Sequence, residues 1–415
     1  MAVVKPFKGL RPPEHLASVL SCLPYDVMNS EEAAQMAAGK PESLLHITRA
    51  EIDCPPGTDL HSEKVYQQSL ANFKAFKEKG WLQKDEQACF YVYAQTMDGR
   101  TQYGLVARAA CEDYFSGVIK KHELTRPDKE EDRMVHIRTN NANLEPVFFS
   151  YKAVPEIDEL VATVVQGKAE YDFTSEEGFR HQFWVVWDPA VNLQLEKLFA
   201  EKVPCTYVAD GHHRTAAAAR IGAERKAANP THTGEEAYNY FMAVHFPDQQ
   251  LAIIDYNRLI KDLNELSESD FIIALGRSFE VYPMGNTPFK PRALHEFGLY
   301  LGHKWYRLVA RKGSYNDADP IGALDVTILS KQVLERILDI QDQRTSQRID
   351  FVGGIRGLEA LQQRVDSGEM KAAFALYPVS MEQLIRIADT GNIMPPKTTW
   401  FEPKLRSGLV IHELE

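Results

Sequence analysis

Short, β-branched apolar runs alternate along this chain with stripes of apolar residues at helical spacing, a pattern that predicts interleaved strands and helices. Pro and Gly break up Lys5-Pro-Phe-Lys-Gly-Leu-Arg-Pro-Pro13, which reads as an extended lead-in. A short helix is expected from Asn29-Ser30-Glu31-Glu32, with Ser30 as its cap. Val65, Leu70, Phe73 and Phe76 mark a helix over 59–79 that stops at Gly80. The run 90–96 predicts a strand, Asp98-Gly99 a two-residue hairpin turn, and 102–109 its partner. The charge run Asp128 to Arg133 reads as a solvated helix start, 138–143 as polar and irregular, and 146–151 as a buried strand.

Further along, 183–187 predicts a strand and 190–200 a helix. Val203–Ala209 is an apolar run suited to a buried strand, and Thr215-Ala-Ala-Ala-Ala-Arg220 continues as strong helix former. The runs 238–246 and 251–255 look like adjacent antiparallel strands. An acidic helix follows Ser267, with strands near Phe279–Tyr282 and Trp305–Val309 and a turn at Gly302-His303. Leu329, Val333, Leu334 and Ile337 form the stripe of a helix over 326–338. Helices over 358–367 and 381–390 flank a strand at 372–376, and the last strand is expected at 408–412. The reading is an α+β fold with mixed sheets: an N-terminal α+β domain over 1–115, a core over 116–260, and a C-terminal α+β region over 261–415 that returns to the core. No repeat or long linker separates these regions, so they are expected to be interwoven.

Composition narrows the class. At 415 residues the chain is too long for one ordinary core, and 44% hydrophobic with 25% charged residues is globular. A net charge of −11 argues against a nucleic-acid partner, which calls for a basic face. The five cysteines form no C-x-x-C pair, which fits a reducing cytoplasm better than a disulfide framework. No secretory signal is evident and no run reaches the ~20 apolar residues of a membrane span, so no membrane association is expected.

The candidate chemistry gathers at Tyr207-Val-Ala-Asp-Gly-His-His-Arg-Thr-Ala216, where a strand turns sharply into a helix. Backbone N–H groups and the positive end of the helix dipole converge there, as they do in phosphate and carboxylate sites. Gly211 allows close backbone approach, Arg214 offers a planar fork for phosphate oxygens, and Asp210 serves as cap, metal ligand or proton acceptor. A plain cap is the competing reading, but two histidines and an arginine in one first turn are unusual for that role. His122 and Glu123 beside Arg126 make a candidate proton acceptor, with a surface role as the alternative, and Pro24-Tyr25-Asp26 is weighed the same way. In Met394-Pro-Pro-Lys-Thr-Thr-Trp-Phe-Glu-Pro-Lys404, Lys397 can reach a phosphate, and Thr398 and Thr399 can hold a metal-bound oxygen; a helix exit is the bland alternative. Adjacent His212 and His213 diverge by about 100° on a helix, so a zinc pair is not expected; a metal here would be Mg²⁺ held by oxygen ligands, and no residue is assigned to a dedicated metal-ligand set. P-loop, dinucleotide-binding and nucleophile-elbow motifs are absent.

Asp210-Gly-His-His-Arg214 before an alanine-rich helix resembles the signature of the ParB/sulfiredoxin-like superfold, in which such a turn binds nucleotide phosphates. Over nearly its whole length the chain also resembles a bacterial domain-of-unknown-function family. The matching residues are Pro6-Phe-Lys-Gly-Leu-Arg11, Pro24-Tyr-Asp26, Asp132-Arg133, Asp210-Gly-His-His-Arg214 and Pro395-Pro-Lys-Thr-Thr399. The free serine kinases of that superfold carry a similar turn. That resemblance implies an ATP- or ADP-dependent phosphotransferase that uses Mg²⁺ and acts on a hydroxyl such as that of free serine. It casts Asp210, His212 and Glu123 as catalytic, with Glu123 nominated for the separate glutamate of those kinases. Gly211, His213, Arg214, Lys397 and Thr398 would hold phosphate. The alternative is a nucleotide-binding regulatory module without chemistry; a metal-dependent hydrolase or nuclease is a third. The superfold's sulfinic-acid reductases carry a cysteine in the turn, which this turn lacks. Partners are thus a small-molecule substrate and a nucleotide.

Overall fold

The computed structural model describes residues 1–415, and they group into two compact units. One unit comprises Met1–Leu251 with Pro403–Glu415, the other Ala252–Glu402.

The first unit is built on a nine-stranded mixed sheet. Its strands are β1 (Val4–Lys5), β2 (Tyr91–Met97), β3 (Arg100–Ala110), β4 (Ile119–Lys120), β5 (Val147–Tyr151), β6 (Tyr171–Thr174), β7 (Arg180–Val185), β8 (Thr206–Asp210) and β9 (Tyr240–Pro247). They lie in the order β4-β8-β5-β9-β3-β2-β7-β6, with β1 on β3. Only β4–β8 and β5–β9 pair in parallel. β2 and β3 form the expected hairpin; Asp98 and Gly99 both take positive φ (51° and 77°), as its tight turn requires. The β3–β9 ladder crosses the boundary expected near residue 115, so the first 115 residues and the following core share one sheet.

Helix α1 (Glu63–Glu78) buries Val65, Tyr66, Ser69, Phe73 and Phe76. Helix α2 (Pro127–Asn140) runs on through Asn140, into the stretch expected to be irregular from 138 onward. Its buried face carries Arg133, His136 and Asn140 beside Met134 and Ile137, so the inward stripe is largely polar and escapes a hydrophobic-periodicity reading. Helix α3 (His212–Ala228) buries Ala217 to Ala219 and Ile221 against a cluster with Val147, Phe149, Val208 and Phe241.

Two local expectations are corrected. The helix Ser30–Ala37 is capped by Asn29, not Ser30: the Asn29 side chain accepts from Glu32 N–H while the Glu32 carboxylate accepts from Asn29 N–H. The Ser30 hydroxyl donates instead to Glu51. Ile253–Ile254 does not pair with β9, because β5 and β3 occupy both of that strand's edges; it pairs with Trp400–Phe401.

The second unit holds a six-stranded antiparallel sheet of β10 (Tyr256–Ile260), β11 (Phe279–Gly285), β12 (Glu296–Leu301), β13 (Lys304–Ala310), β14 (Ile349–Gly353) and β15 (Ala372–Leu376), in the order β11-β13-β12-β15-β10-β14. Helix α4 (Gly357–Asp366) packs Leu361 and Val365 on Leu259, Val352 and Ala373. The helix expected over 326–338 is α-helical over Asp325–Leu329 and widens to a π-helix over Ser330–Glu335. No helix in the chain is long and apolar enough to cross a membrane.

Candidate functional site

β8 runs between β4 and β5, and its pairing with β5 slips between Val208 and Asp210. That bulge lets Asp210 leave the ladder's alternation just before the turn. Gly211 follows at φ +87°, a left-handed conformation that costs an L side chain roughly 1–2 kcal/mol. A Cβ there would lie 3.2 Å from the Arg214 guanidinium, so glycine serves both the turn and the close approach. α3 then begins with no side-chain cap on its first N–H groups.

Asp210 is held at both oxygens. Oδ1 accepts from the Gly211 N–H at 2.8 Å, and Oδ2 faces the Lys404 Nζ at 3.0 Å. Burial pushes the carboxyl up, but Lys404, Arg214 and the hydrogen bonds from Lys404 and Gly211 together outweigh it and hold it well below the carboxylate range. The carboxylate is therefore ionised at neutral pH.

Arg214 is 7% exposed, and its Nη1 donates to the Pro146 carbonyl at 2.6 Å, tying α3 to the start of β5. Its Nε has no hydrogen-bond partner. Burial works against the charge, but the fields of Asp26, Glu145, Asp210 and Tyr25 prevail and keep it. Arg133, on the buried face of α2, lies 3.8 Å over the Tyr25 ring and grips Asp132 Oδ2 with Nε and Nη2 at 2.9 and 2.7 Å. Its Nη1 has no hydrogen-bond partner; the Glu145 carboxylate lies 3.7 Å away. Glu145 accepts from the Tyr25 N–H at 2.9 Å, and burial raises its carboxyl against the pull of Arg214 and Arg133. A cavity of about 30 Å³, room for one water, lies among Arg133, Glu145, Arg214 and Asn143.

The expected His122–Glu123 segment reaches the turn. The His122 and His212 rings meet edge to face at 4.5 Å, and His212 Nδ1 is 3.7 Å from Glu123 Oε2. His212 Nε2 is buried without a partner. Burial lowers His122 to about 4 and depresses His212 strongly, with His122 adding to the effect. Both imidazoles are thus neutral at pH 7. His213 Nε2 accepts from the Arg126 N–H at 3.1 Å, which fixes it as an acceptor; burial lowers it too. Asp26 is exposed, and its field acts on both His213 and Arg214.

Asp210, Gly211, His212, His213, Arg214 and Glu123 are thereby brought together in the first unit. Lys397 and Thr398 belong to the second unit, and their own contacts lie within it: the Lys397 Nζ is 5.7 Å from the Tyr256 ring, and Thr398 donates to the Pro395 carbonyl at 2.6 Å. Sequence reasoning missed Lys404, although it closes the very segment that had drawn notice. Glu145 was missed as well. A carboxylate inside the apolar stretch Leu144-Glu-Pro-Val-Phe148 was the available signal, since a buried charge requires a partner.

Among solved structures, the chain is similar to a mutant free serine kinase in complex with AMP (12% identity, 74% of this chain and 92% of that one, TM-score 0.37). It is similar also to a conserved hypothetical protein from Pyrococcus furiosus (15%, 74% and 95%, TM-score 0.35) and to C-terminally truncated SbnI from Staphylococcus aureus (10%, 73% and 87%, TM-score 0.38). No curated protein matches it. The family model "Protein of unknown function (DUF1015)" matches residues 4–327, more than half of the chain, which therefore belongs to the DUF1015 family.

Proposed function

We propose that the Asp210 corner binds the phosphates of a nucleotide, ATP or ADP, and passes a phosphoryl group to the hydroxyl of a small molecule such as free serine. The observation that carries this reading is a pair of buried guanidiniums, Arg214 and Arg133, each with an N–H lacking a partner, beside a carboxylate kept ionised by Lys404. Orphaned buried donors fit an anionic guest, and phosphoryl transfer depends mainly on positioning and on neutralising charge. In this reading Asp210 orients the acceptor hydroxyl and takes its proton as the new O–P bond forms. Arg214 and Arg133, with the first N–H groups of α3, meet the charge on the phosphate being cleaved from its donor. Glu123, next to His212, is the second proton holder. No group of three His, Cys, Asp or Glu residues is placed to hold a metal ion, so Mg²⁺ would arrive on the nucleotide's own oxygens. In the same reading this strand–turn–helix is a ParB/sulfiredoxin-like core.

One observation favours a second reading, a nucleotide-binding module without chemistry. Both Asp210 oxygens are engaged and its carboxyl lies far below neutral, a poor match for a general base. Phosphorus NMR on ATP or ADP with Mg²⁺ and a panel of hydroxyl compounds separates the two. A phosphorylated product that disappears in Asp210→Asn supports the kinase. Saturable nucleotide binding without product, lost in Arg214→Ala, supports the module. Absence of both binding and turnover defeats both readings.

A further inference from the structure

The second unit buries a charge that nothing in it neutralises. Arg258, on β10, is 1% exposed and has no carboxylate within ion-pair reach; burial lowers it to about 10. Its guanidinium is held by carbonyls alone, those of Tyr256, Pro396 (3.2 Å) and Lys397 (3.0 Å), and its Nε has no partner. Burying a cation without a counter-ion is strongly unfavourable. The backbone that it grips is itself strained: Lys397 adopts φ +56°, a conformation that a residue other than glycine rarely takes outside functional corners.

The same side of β10 borders a cavity of about 440 Å³, within the range of small-molecule sites. Its walls are Tyr256, Phe351 and Trp400, with Arg356 and Arg364 at the start and end of α4. The Tyr256 and Trp400 rings meet edge to face at 4.9 Å, and the Arg258 guanidinium lies 5.3 Å from the Phe351 ring that lines the cavity. Gly353 lets the Trp400 indole lie against the strand: a Cβ there would be 3.0 Å from the ring. Arg364 is paired with Asp350 and Glu369, whereas Arg356 is exposed and forms no ion pair.

We infer that this cavity is a second ligand site, separate in its residues from the Asp210 corner, for a flat aromatic or heteroaromatic ring that carries an anionic group. The ring stacks on the Trp400 indole and meets Tyr256 edge-on, the anion is met by Arg356, and its field compensates the buried Arg258. Phosphate and carboxylate share this chemistry, so the test carries one probe of each kind.

Full-length protein is titrated with AMP and, separately, with indole-3-carboxylate, following tryptophan emission and heat. At least one probe is expected to saturate, with an affinity that falls about tenfold or more in Arg356→Ala and in Trp400→Ala and persists in Arg214→Ala. Trp400→Phe should retain the heat while losing most of the emission change. Arg356→Ala alters an exposed side chain, so the result survives any folding defect in Trp400→Ala. The assignment is overturned if neither probe saturates below about 1 mM. It is also overturned if the affinity that remains in Arg214→Ala survives the added Arg356→Ala, or if Arg214→Ala alone abolishes it.

Discussion

Lys404 Nζ stands 3.0 Å from Asp210 Oδ2, so the returning C-terminal segment supplies the cation that keeps the turn's carboxylate charged. Replacing Lys404 by Met leaves that carboxylate without its nearest counter-charge. The loss should be about 2–3 kcal/mol, below the ~3–5 of a fully buried pair because Asp210 keeps some exposure. The pH dependence has a definite sign. A carboxyl depressed in the folded state contributes stability that is present above its unfolded value of about 3.9 and is lost as pH falls through the folded value. Urea unfolding should therefore show the largest gap between wild type and Lys404→Met near neutrality, closing below pH 4. A gap that is unchanged at low pH would contradict the pairing.

Gly211 provides a local test of the turn. Gly211→Ala combines a left-handed backbone with a Cβ placed 3.2 Å from the Arg214 guanidinium. A loss of about 1–3 kcal/mol is expected in chemical denaturation. Anion affinity should fall with it, because the guanidinium must move. The control Gly178→Ala, at another positive φ (86°) with open space around it, should lose stability without changing affinity.

The neutral His122–His212 pair makes stability fall in mild acid. Burial lowers His122 from 6.5 to about 4. The unfolded chain therefore binds more protons between those values, and stability present above the unfolded value is lost as pH falls towards the folded one. At ~1.4 kcal/mol per unit, His122 contributes up to about 3 kcal/mol to that slope. His136, His181, His245 and His412 are lowered by burial as well, so the slope persists in reduced form in His122→Gln. Unfolding free energies at pH 4.5 and 7 check this: an undiminished difference in His122→Gln would show that His122 is not buried neutral.

Much of this was legible in the sequence because period and turn chemistry agreed with tertiary context. The Asp98-Gly99 hairpin, the strand–turn–helix at Asp210 and the stop at Gly80 (φ 71°) all depend on residues whose backbone preferences dominate locally. Apart from the Asn29 cap, a local choice, the failures come from partnerships between elements. α2 was cut short because Arg133, His136 and Asn140 face inward, made tolerable only by Asp132, Ile47 and Ser69 far along the chain or beside them. The misassigned neighbour of β9 reflects strand order, which a parallel β5 crossover decides and local periodicity does not encode. Lys404 closes a segment that drew notice, but nothing local marks it as the partner of Asp210. Its role exists only because residues 403–415 rejoin the first unit.

Lys397 tests whether strain is stored in the second unit for a purpose. At φ +56° the lysine resists a conformation that glycine accepts freely, while Arg258 holds its carbonyl at 3.0 Å. Lys397→Gly should release about 1 kcal/mol of strain, part of which returns as added freedom of the unfolded chain. A net change between about zero and one kcal/mol in the stabilising direction is expected in chemical denaturation. Lys397→Ala keeps the strained Cβ and removes the rest of the side chain, whose ammonium lies 5.7 Å from the Tyr256 ring, so it should gain no stability. Stabilisation by glycine but not by alanine places the strain in the backbone. Equal destabilisation by both would instead assign the conformation to the lysine's charge and its contact with the aromatic face.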